Sequence, residues 1–298
     1  MQQSGANLHS FTQNGNFKIY VIGSLLNNVK ICRVKNHVVF EKDSCGFNPS
    51  GWMPVPAGCS HKYKILLTDS RDLGRYVYAL DLRNHGESPH SNKHDYSLMA
   101  QDVAEFIEGH GLKETTLIGH SMGAKTSMAL ALHSPDLVAD IVAVDNAPVD
   151  VALSRDFPKY VRAMKKIQEA NVTRQAEADK ILSEYEESLS IRQFLLGNMY
   201  QPEGEKVRKF RIPLDTLGKS LDNLGDFPYK NPNEVRFVKP ALFVRGTKSK
   251  YVPDDVLPLI GQFFPKFRLV DIDAGHWVIS EQPEAFRQAV IEFLQKPE

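Results

Sequence analysis

One serine in this chain stands in a setting suited to nucleophilic chemistry: Gly119-His120-Ser121-Met122-Gly123, with a glycine two residues to either side. Residues 115–118 before it are β-branched and apolar and read as a strand, while Met122–His133 reads as a helix that begins at once. So tight a turn puts the serine in strained backbone angles, and bulky side chains two positions away would collide. The hydroxyl is then exposed at the carboxyl edge of a sheet, beside a helix N-terminus. A serine hydroxyl is a weak nucleophile until an imidazole takes its proton. Of the ten histidines, His276 in Asp273-Ala274-Gly275-His276-Trp277 is best placed, just past the last strand and before the last helix. His120 precedes the nucleophile, so its side chain is expected to point away from that of Ser121 and to pack. His85, His90 and His94 crowd one loop without a metal-ligand pattern and read as solvated.

The acid has two candidate locations. Most enzymes with such a triad on a parallel sheet carry it after the penultimate strand, a few residues beyond a glycine. Here that stretch is Gly246-Thr247-Lys248-Ser249-Lys250-Tyr251-Val252, with Ser249 at the relevant place and no carboxylate. One strand earlier, Asp145 closes Ile141-Val142-Ala143-Val144-Asp145. One helix and one return strand separate it from Ser121, and adjacent parallel strands bring their carboxyl ends together. Asp254, Asp255 and a purely structural Asp145 stay open as alternatives. The order Ser121, Asp145, His276 matches the Ser…Asp…His order of sheet-borne triads. Acyl transfer is the chemistry implied: Ser121 attacks an ester or thioester carbonyl, His276 moves the proton, and Asp145 fixes the imidazole tautomer. The backbone N–H of Met122 supplies one oxyanion donor. The acyl-enzyme is released to water or to an alcohol.

The elements that must position these residues alternate. Strands are expected at 76–82, 115–118, 140–144, 240–245 and Phe267–Ile272, and helices from Ser97, over Met122–His133, over 256–264 and from about Gln282. Ser97 is the expected N-cap of the first helix, and Pro283 suits the first turn of the last. Such alternation predicts a mostly parallel sheet with helices on both faces. The rhythm breaks at about 149–235, where helices at 160–170, 174–187, 191–200 and 214–224 follow one another with no clear strand, as in an inserted helical cap.

Composition excludes several classes. The chain has 298 residues with 36 basic and 36 acidic side chains, against a nucleic-acid binder that relies on phosphate attraction. No apolar run approaches the roughly 18 residues of a membrane span. No metal cluster is expected, and no glycine-rich nucleotide fingerprint follows a strand, since Gly246-Thr247-Lys248-Ser249 only faintly echoes a phosphate loop. The triad requires no cofactor, and the expected partner is a small-molecule substrate.

Several segments together resemble one branch of the α/β-hydrolases: Asp81-Leu82-Arg83-Asn84-His85-Gly86-Glu87-Ser88-Pro89, Gly119-His120-Ser121-Met122-Gly123-Ala124-Lys125, Val144-Asp145-Asn146-Ala147-Pro148-Val149, and Phe210-Arg211-Ile212-Pro213-Leu214 followed by Gly225-Asp226-Phe227-Pro228. That branch contains the abhydrolase-domain-eleven esterases, small bacterial esterases and the ethanol acetyltransferases of yeasts. The resemblance spans about residues 73–296. It implies an α/β-hydrolase fold with a Ser121–Asp145–His276 triad, hydrolysis of esters or thioesters, alcohol acetylation with acetyl-CoA as acyl donor in some members, and mitochondrial residence in eukaryotes.

The front of the chain departs from the pattern. Residues 1–73 are expected to be an atypical segment preceding a hydrolase domain over 74–298. The His-Gly type segment that provides the second oxyanion donor has no counterpart in the expected interval, which instead holds Cys45-Gly46-Phe47-Asn48-Pro49-Ser50-Gly51-Trp52. The nearest likeness, residues 19–26, lacks the histidine and lies far upstream. All three cysteines, Cys32, Cys45 and Cys59, fall in this part. They mark an N-terminus foreign to the family, and an inactive scaffold is the corresponding rival to an enzyme. Residues 1–40 lack Asp and Glu, as import sequences do, but carry Arg33 as their sole arginine.

Overall fold

The computed structural model describes residues 77–151 and 156–295, and the backbone of three earlier stretches, 18–20, 29–34 and 37–42. The latter are β1 (Lys18–Tyr20), β2 (Val29–Val34) and β3 (His37–Lys42). Then follow β4 (Val77–Ala79), α1 (Tyr96–Gly109), β5 (Thr115–His120), α2 (Met122–His133) and β6 (Val138–Val144). A largely helical stretch comes next: α3 (Asp156–Glu169), α4 (Gln175–Leu182), α5 (Leu189–Leu196), β7 (Met199–Tyr200), β8 (Lys209–Phe210), α6 (Leu214–Lys219) and α7 (Leu221–Gly225). Alternation resumes with β9 (Ala241–Gly246), α8 (Leu257–Phe263), β10 (Phe267–Ile272), α9 (Val278–Glu281) and α10 (Pro283–Gln295).

Parallel pairing joins six of these strands into one sheet, in the order β10-β9-β6-β5-β1-β4, while β2 with β3 and β7 with β8 form separate antiparallel pairs. Its two faces explain the near-continuous apolar strands. Leu117, Ile141, Ala143 and Phe243 face one core with α1 and α2, while Ile118, Val142, Val144, Leu242 and Val244 face another with α10. Alternate residues thus enter opposite cores, as the two-residue period of a strand requires when both faces are covered. Helix α2 is buried along Gly123–Leu132, which accounts for its lack of a polar stripe. In contrast, α3 to α6 close around a separate core that includes Ala163, Ile167, Leu182, Leu196 and Leu217.

Local differences from expectation have identifiable causes. Helix α1 is capped by Asp95, not Ser97: the Asp95 carboxylate accepts from the Leu98 amide at 2.9 Å, and Ser97 lies within the first turn. The expected helix over 191–200 stops at Leu196, and Met199–Tyr200 instead pairs antiparallel with Lys209–Phe210. The expected helix over 214–224 divides at Ser220, whose hydroxyl donates to the Thr216 carbonyl at 2.9 Å in competition with the helical ladder. Far upstream in the chain, β1 nevertheless lies between β4 and β5, with Tyr20 in register with Ala79 and Ile118. The rest of the 19–26 stretch, and the Cys45–Trp52 run with Cys59, lie outside the described residues.

Candidate active site

Strand β5 runs straight into Ser121, whose φ of 54° lies in the left-handed region that disfavours side chains. Its amide still donates to the Val144 carbonyl at 2.9 Å, so the ladder with β6 continues into the turn. A Cβ on Gly119 would come within 2.1 Å of the Gly123 carbonyl oxygen, the physical reason for glycine there. Met122 opens α2 in the first turn, where helical N–H groups have no intrahelical acceptor. The Asn146 amide donates to the Ser121 carbonyl at 3.1 Å and helps hold this turn in place.

Asp145 ends β6 with φ of 50°, and its amide donates to the Val244 carbonyl at 2.8 Å. The side chain is fully buried. Oδ1 accepts from the Gly246 amide at 3.0 Å, and Oδ2 accepts from the Ser249 hydroxyl at 2.5 Å. His276 Nδ1 lies 2.7 Å from the same Oδ2, and its Nε2 lies 3.0 Å from Ser121 Oγ. A carboxylate only accepts, so Nδ1 carries the hydrogen and Nε2 is left to accept from the serine. The structure therefore brings Ser121, His276 and Asp145 into one hydrogen-bonded chain. Asp254 and Asp255 are exposed, and Asp254 pairs with Arg245 at 2.6 Å, away from the imidazole.

Three aromatic neighbours surround His276. Tyr251 stacks on it with ring centroids 4.1 Å apart and planes at 22°, His120 lies at 4.8 Å, and Trp277 is edge-on at 5.7 Å. His120 packs, and its Nε2 also lies 2.7 Å from the His276 carbonyl, to which it donates. Burial pushes His120 down to about 4, so this donor is neutral. From α5, the Phe194 ring reaches within 5.1 Å of the Trp277 ring, placing the helical stretch next to the site. Ser249, Tyr251 and Asn146 were not expected to take part. The signal for Ser249 was a hydroxyl where a carboxylate was missing, and Asn146 adjoins the acid in sequence.

The loop histidines need a correction. His90 is exposed, but His85 and His94 are buried with rings 5.4 Å apart, because the loop folds back on itself. Asn84 organises that fold: its carbonyl accepts from the Ser91 amide at 2.7 Å, and its amide lies 3.4 Å from His94 Nδ1. Desolvation lowers His85 to about 4 and His94 to about 3.

A family model described as alpha/beta hydrolase fold matches residues 52–283. An abhydrolase domain-containing protein of Schizosaccharomyces pombe is 43% identical, covering 74% of this chain and 82% of its own. A probable alcohol acetyltransferase of Saccharomyces cerevisiae is 38% identical over 77% and 71% of the two chains. The sn-1-specific diacylglycerol lipase ABHD11 of Mus musculus is also 38% identical, over 74% and 72%. Among solved structures, a marine microorganism esterase matches with a TM-score of 0.69 and 35% identity over 74% of this chain and 85% of that one. A tight serine turn on a parallel sheet, with these relatives across three quarters of its length, makes the chain a member of the α/β-hydrolase fold family, in the branch of the abhydrolase-domain proteins and yeast alcohol acetyltransferases.

Proposed function

We propose that this chain is a serine-dependent acyl hydrolase of carboxylic esters or thioesters, with Ser121 as nucleophile, His276 as general base and acid, and Asp145 as the group that orients the imidazole. The observation that carries this reading is the continuous hydrogen-bonded chain, 3.0 Å from Ser121 Oγ to His276 Nε2 and 2.7 Å from His276 Nδ1 to Asp145 Oδ2. Ser121 Oγ attacks the acyl carbonyl as its proton passes to Nε2. The Met122 amide stabilises the oxyanion, an interaction worth roughly 100- to 1,000-fold in turnover. The tetrahedral species expels alcohol or thiol, which takes the proton from Nε2. Water, deprotonated by the same nitrogen, then attacks the acyl-serine and releases the acid. An inactive scaffold is the rival reading, and it follows if the chain supplies no second oxyanion donor. The helical stretch at about 149–235 acts as the cap of the substrate pocket, a role supported by Phe194 beside Trp277.

A second reading is favoured by the relatives named as alcohol acetyltransferases. In it, acetyl-CoA is the acyl donor and a short alcohol replaces water at the acyl-serine. Mitochondrial residence belongs to the same proposal, rests on family resemblance, and is tested by organelle fractionation. A fluorophosphonate probe should label the folded wild type and not Ser121→Ala; equal labelling of the two, or none, removes the enzyme reading. With acetyl-CoA and ethanol, free acid in excess of ethyl ester supports the hydrolase, and the reverse supports the transferase.

A further inference from the structure

Lys125 lies one helical turn beyond Ser121 in α2 and is only 2% exposed. Burying an ammonium is unfavourable, and desolvation pushes Lys125 down to about 8. Such a group persists where it holds something. Nζ donates to the Gly225 carbonyl at 3.1 Å and to the Asp226 carbonyl at 2.9 Å, and stands 5.3 Å from the centroid of the Tyr96 ring. The Tyr96 hydroxyl, from α1, donates to the Leu224 carbonyl at 2.9 Å. Two side chains of the sheet-bearing body thus hold three consecutive carbonyls at the end of α7, groups a helix terminus leaves without partners.

The same turn meets the start of the helical stretch. The Val151 amide donates to the Gly225 carbonyl at 2.8 Å, and the Phe227 amide donates to Asp150 Oδ1 at 2.8 Å. Lys230 bridges Asp150 and Asp226. Residues 150–151, where the helical stretch leaves the body, are therefore clasped to residues 224–230, where it returns. Lys125 ties that clasp to the helix that begins at the nucleophile. Asp150 and Asp226 favour its charge and Lys230 opposes it. Tyr96 stays neutral, since burial raises its hydroxyl well above the ordinary value.

We propose that Lys125, with Tyr96, is a positioning residue for substrate binding, fixing where the helical stretch stands relative to Ser121. This rests on the acyl-hydrolase reading and adds to it: affinity for a long acyl chain depends on the clasp, whereas bond-breaking at Ser121 does not.

The test uses the full chain with Lys125→Met and Tyr96→Phe, p-nitrophenyl octanoate and acetate as substrates, and fluorophosphonate labelling. Both variants should raise KM for the octanoate about fivefold or more, while kcat on the acetate and the labelling rate stay within about twofold. Amide exchange at Val151 and Phe227 should accelerate about tenfold, with β5 and β6 unchanged. Unaltered octanoate KM in both variants, or an equal fall in kcat on both esters with KM constant, overturns the proposal. Should Lys125→Met not fold, Tyr96→Phe carries the same comparison. Wild-type protein without Ser121 labelling defeats the hydrolase reading separately, and exchange at Val151 and Phe227 still decides whether the clasp exists.

Discussion

The ends of β6 and β9 are neighbours in the sheet, yet they contribute differently to the site. β6 delivers a charge: its last ladder bond places Asp145 beyond the strand, with the carboxylate out of contact with water. β9 delivers donors and close packing. Its Gly246 amide and the Ser249 hydroxyl both reach Asp145, and a Cβ on Gly246 would come within 2.2 Å of the Gly275 carbonyl oxygen, one residue before His276. The imidazole needs a carboxylate oxygen at one point in space, and the converging ends of two adjacent parallel strands both border that point. Which strand carries the carboxylate is therefore a matter of which end holds Asp145 and which supplies its donors.

The most severe way to break this division is Asp145→Asn. An amide there no longer holds the imidazole in the tautomer that accepts from Ser121, and kcat on a p-nitrophenyl ester should fall roughly 1,000- to 10,000-fold. Adding Ser249→Asp to that variant asks whether the end of β9 can take the charge. Recovery of about 10- to 100-fold of the loss is expected from the double variant. Activity no better than Asp145→Asn would mean that the two ends are not interchangeable.

Histidines at the same carboxyl edge also differ in their partners. His276 has Asp145 at 2.7 Å, while His94 Nε2 is buried with no hydrogen-bond partner among the described residues and His85 Nδ1 lies 3.0 Å from the Arg83 carbonyl. The folded protein holds His85 and His120 near 4 and His94 near 3, all below the ordinary 6.5. The unfolded chain therefore takes up protons that the folded one refuses as pH drops. This stability is fully present above pH 6.5 and is lost as pH falls toward 4 for His85 and His120 and toward 3 for His94, at roughly 3–5 kcal/mol for each group. Urea midpoints should drop steeply between pH 7 and 4.5, and less so in His94→Leu. A midpoint indifferent to pH over that range would contradict the burial of these rings.

How much of this was legible depended on whether the cause was local. The Gly119-to-Gly123 turn is set by contacts within five residues, so strand, strained serine and helix could be read together. Strand alternation was legible for the same reason, since both faces of β5, β6 and β9 are covered and the apolar runs are continuous. The burial of His85 and His94 was not legible, because it depends on Asn84 folding the loop back. Nor was the cap at Asp95, one of two polar residues near the start of α1 that share a preference for that position. β1 was hidden by chain distance, although a parallel connection places no upper bound on intervening length. Around the site, Asp145 directly follows β6 and His276 stands in the short turn between β10 and α9, so both follow from element order. Ser249 and Tyr251 lie in a loop whose course only tertiary structure reveals.

The mildest perturbation isolates what β9 supplies without moving the charge. Ser249→Ala removes one of the donors to a buried carboxylate and also the acceptor of the Tyr251 amide, 3.3 Å from Ser249 Oγ. A hydrogen bond to a charged group is worth about 1.5–3 kcal/mol, but the Gly246 amide and the imidazole still satisfy Asp145. The cost should lie at the lower end, about tenfold in kcat, with KM within about twofold because no substrate contact is removed. Ser249→Thr keeps the hydroxyl and should retain most of the rate. If Ser249→Ala matched wild type while Ser249→Thr fell, space in the loop beneath Tyr251, and not donation to Asp145, would be what β9 contributes. The difference between the two strand ends would then be one of packing alone.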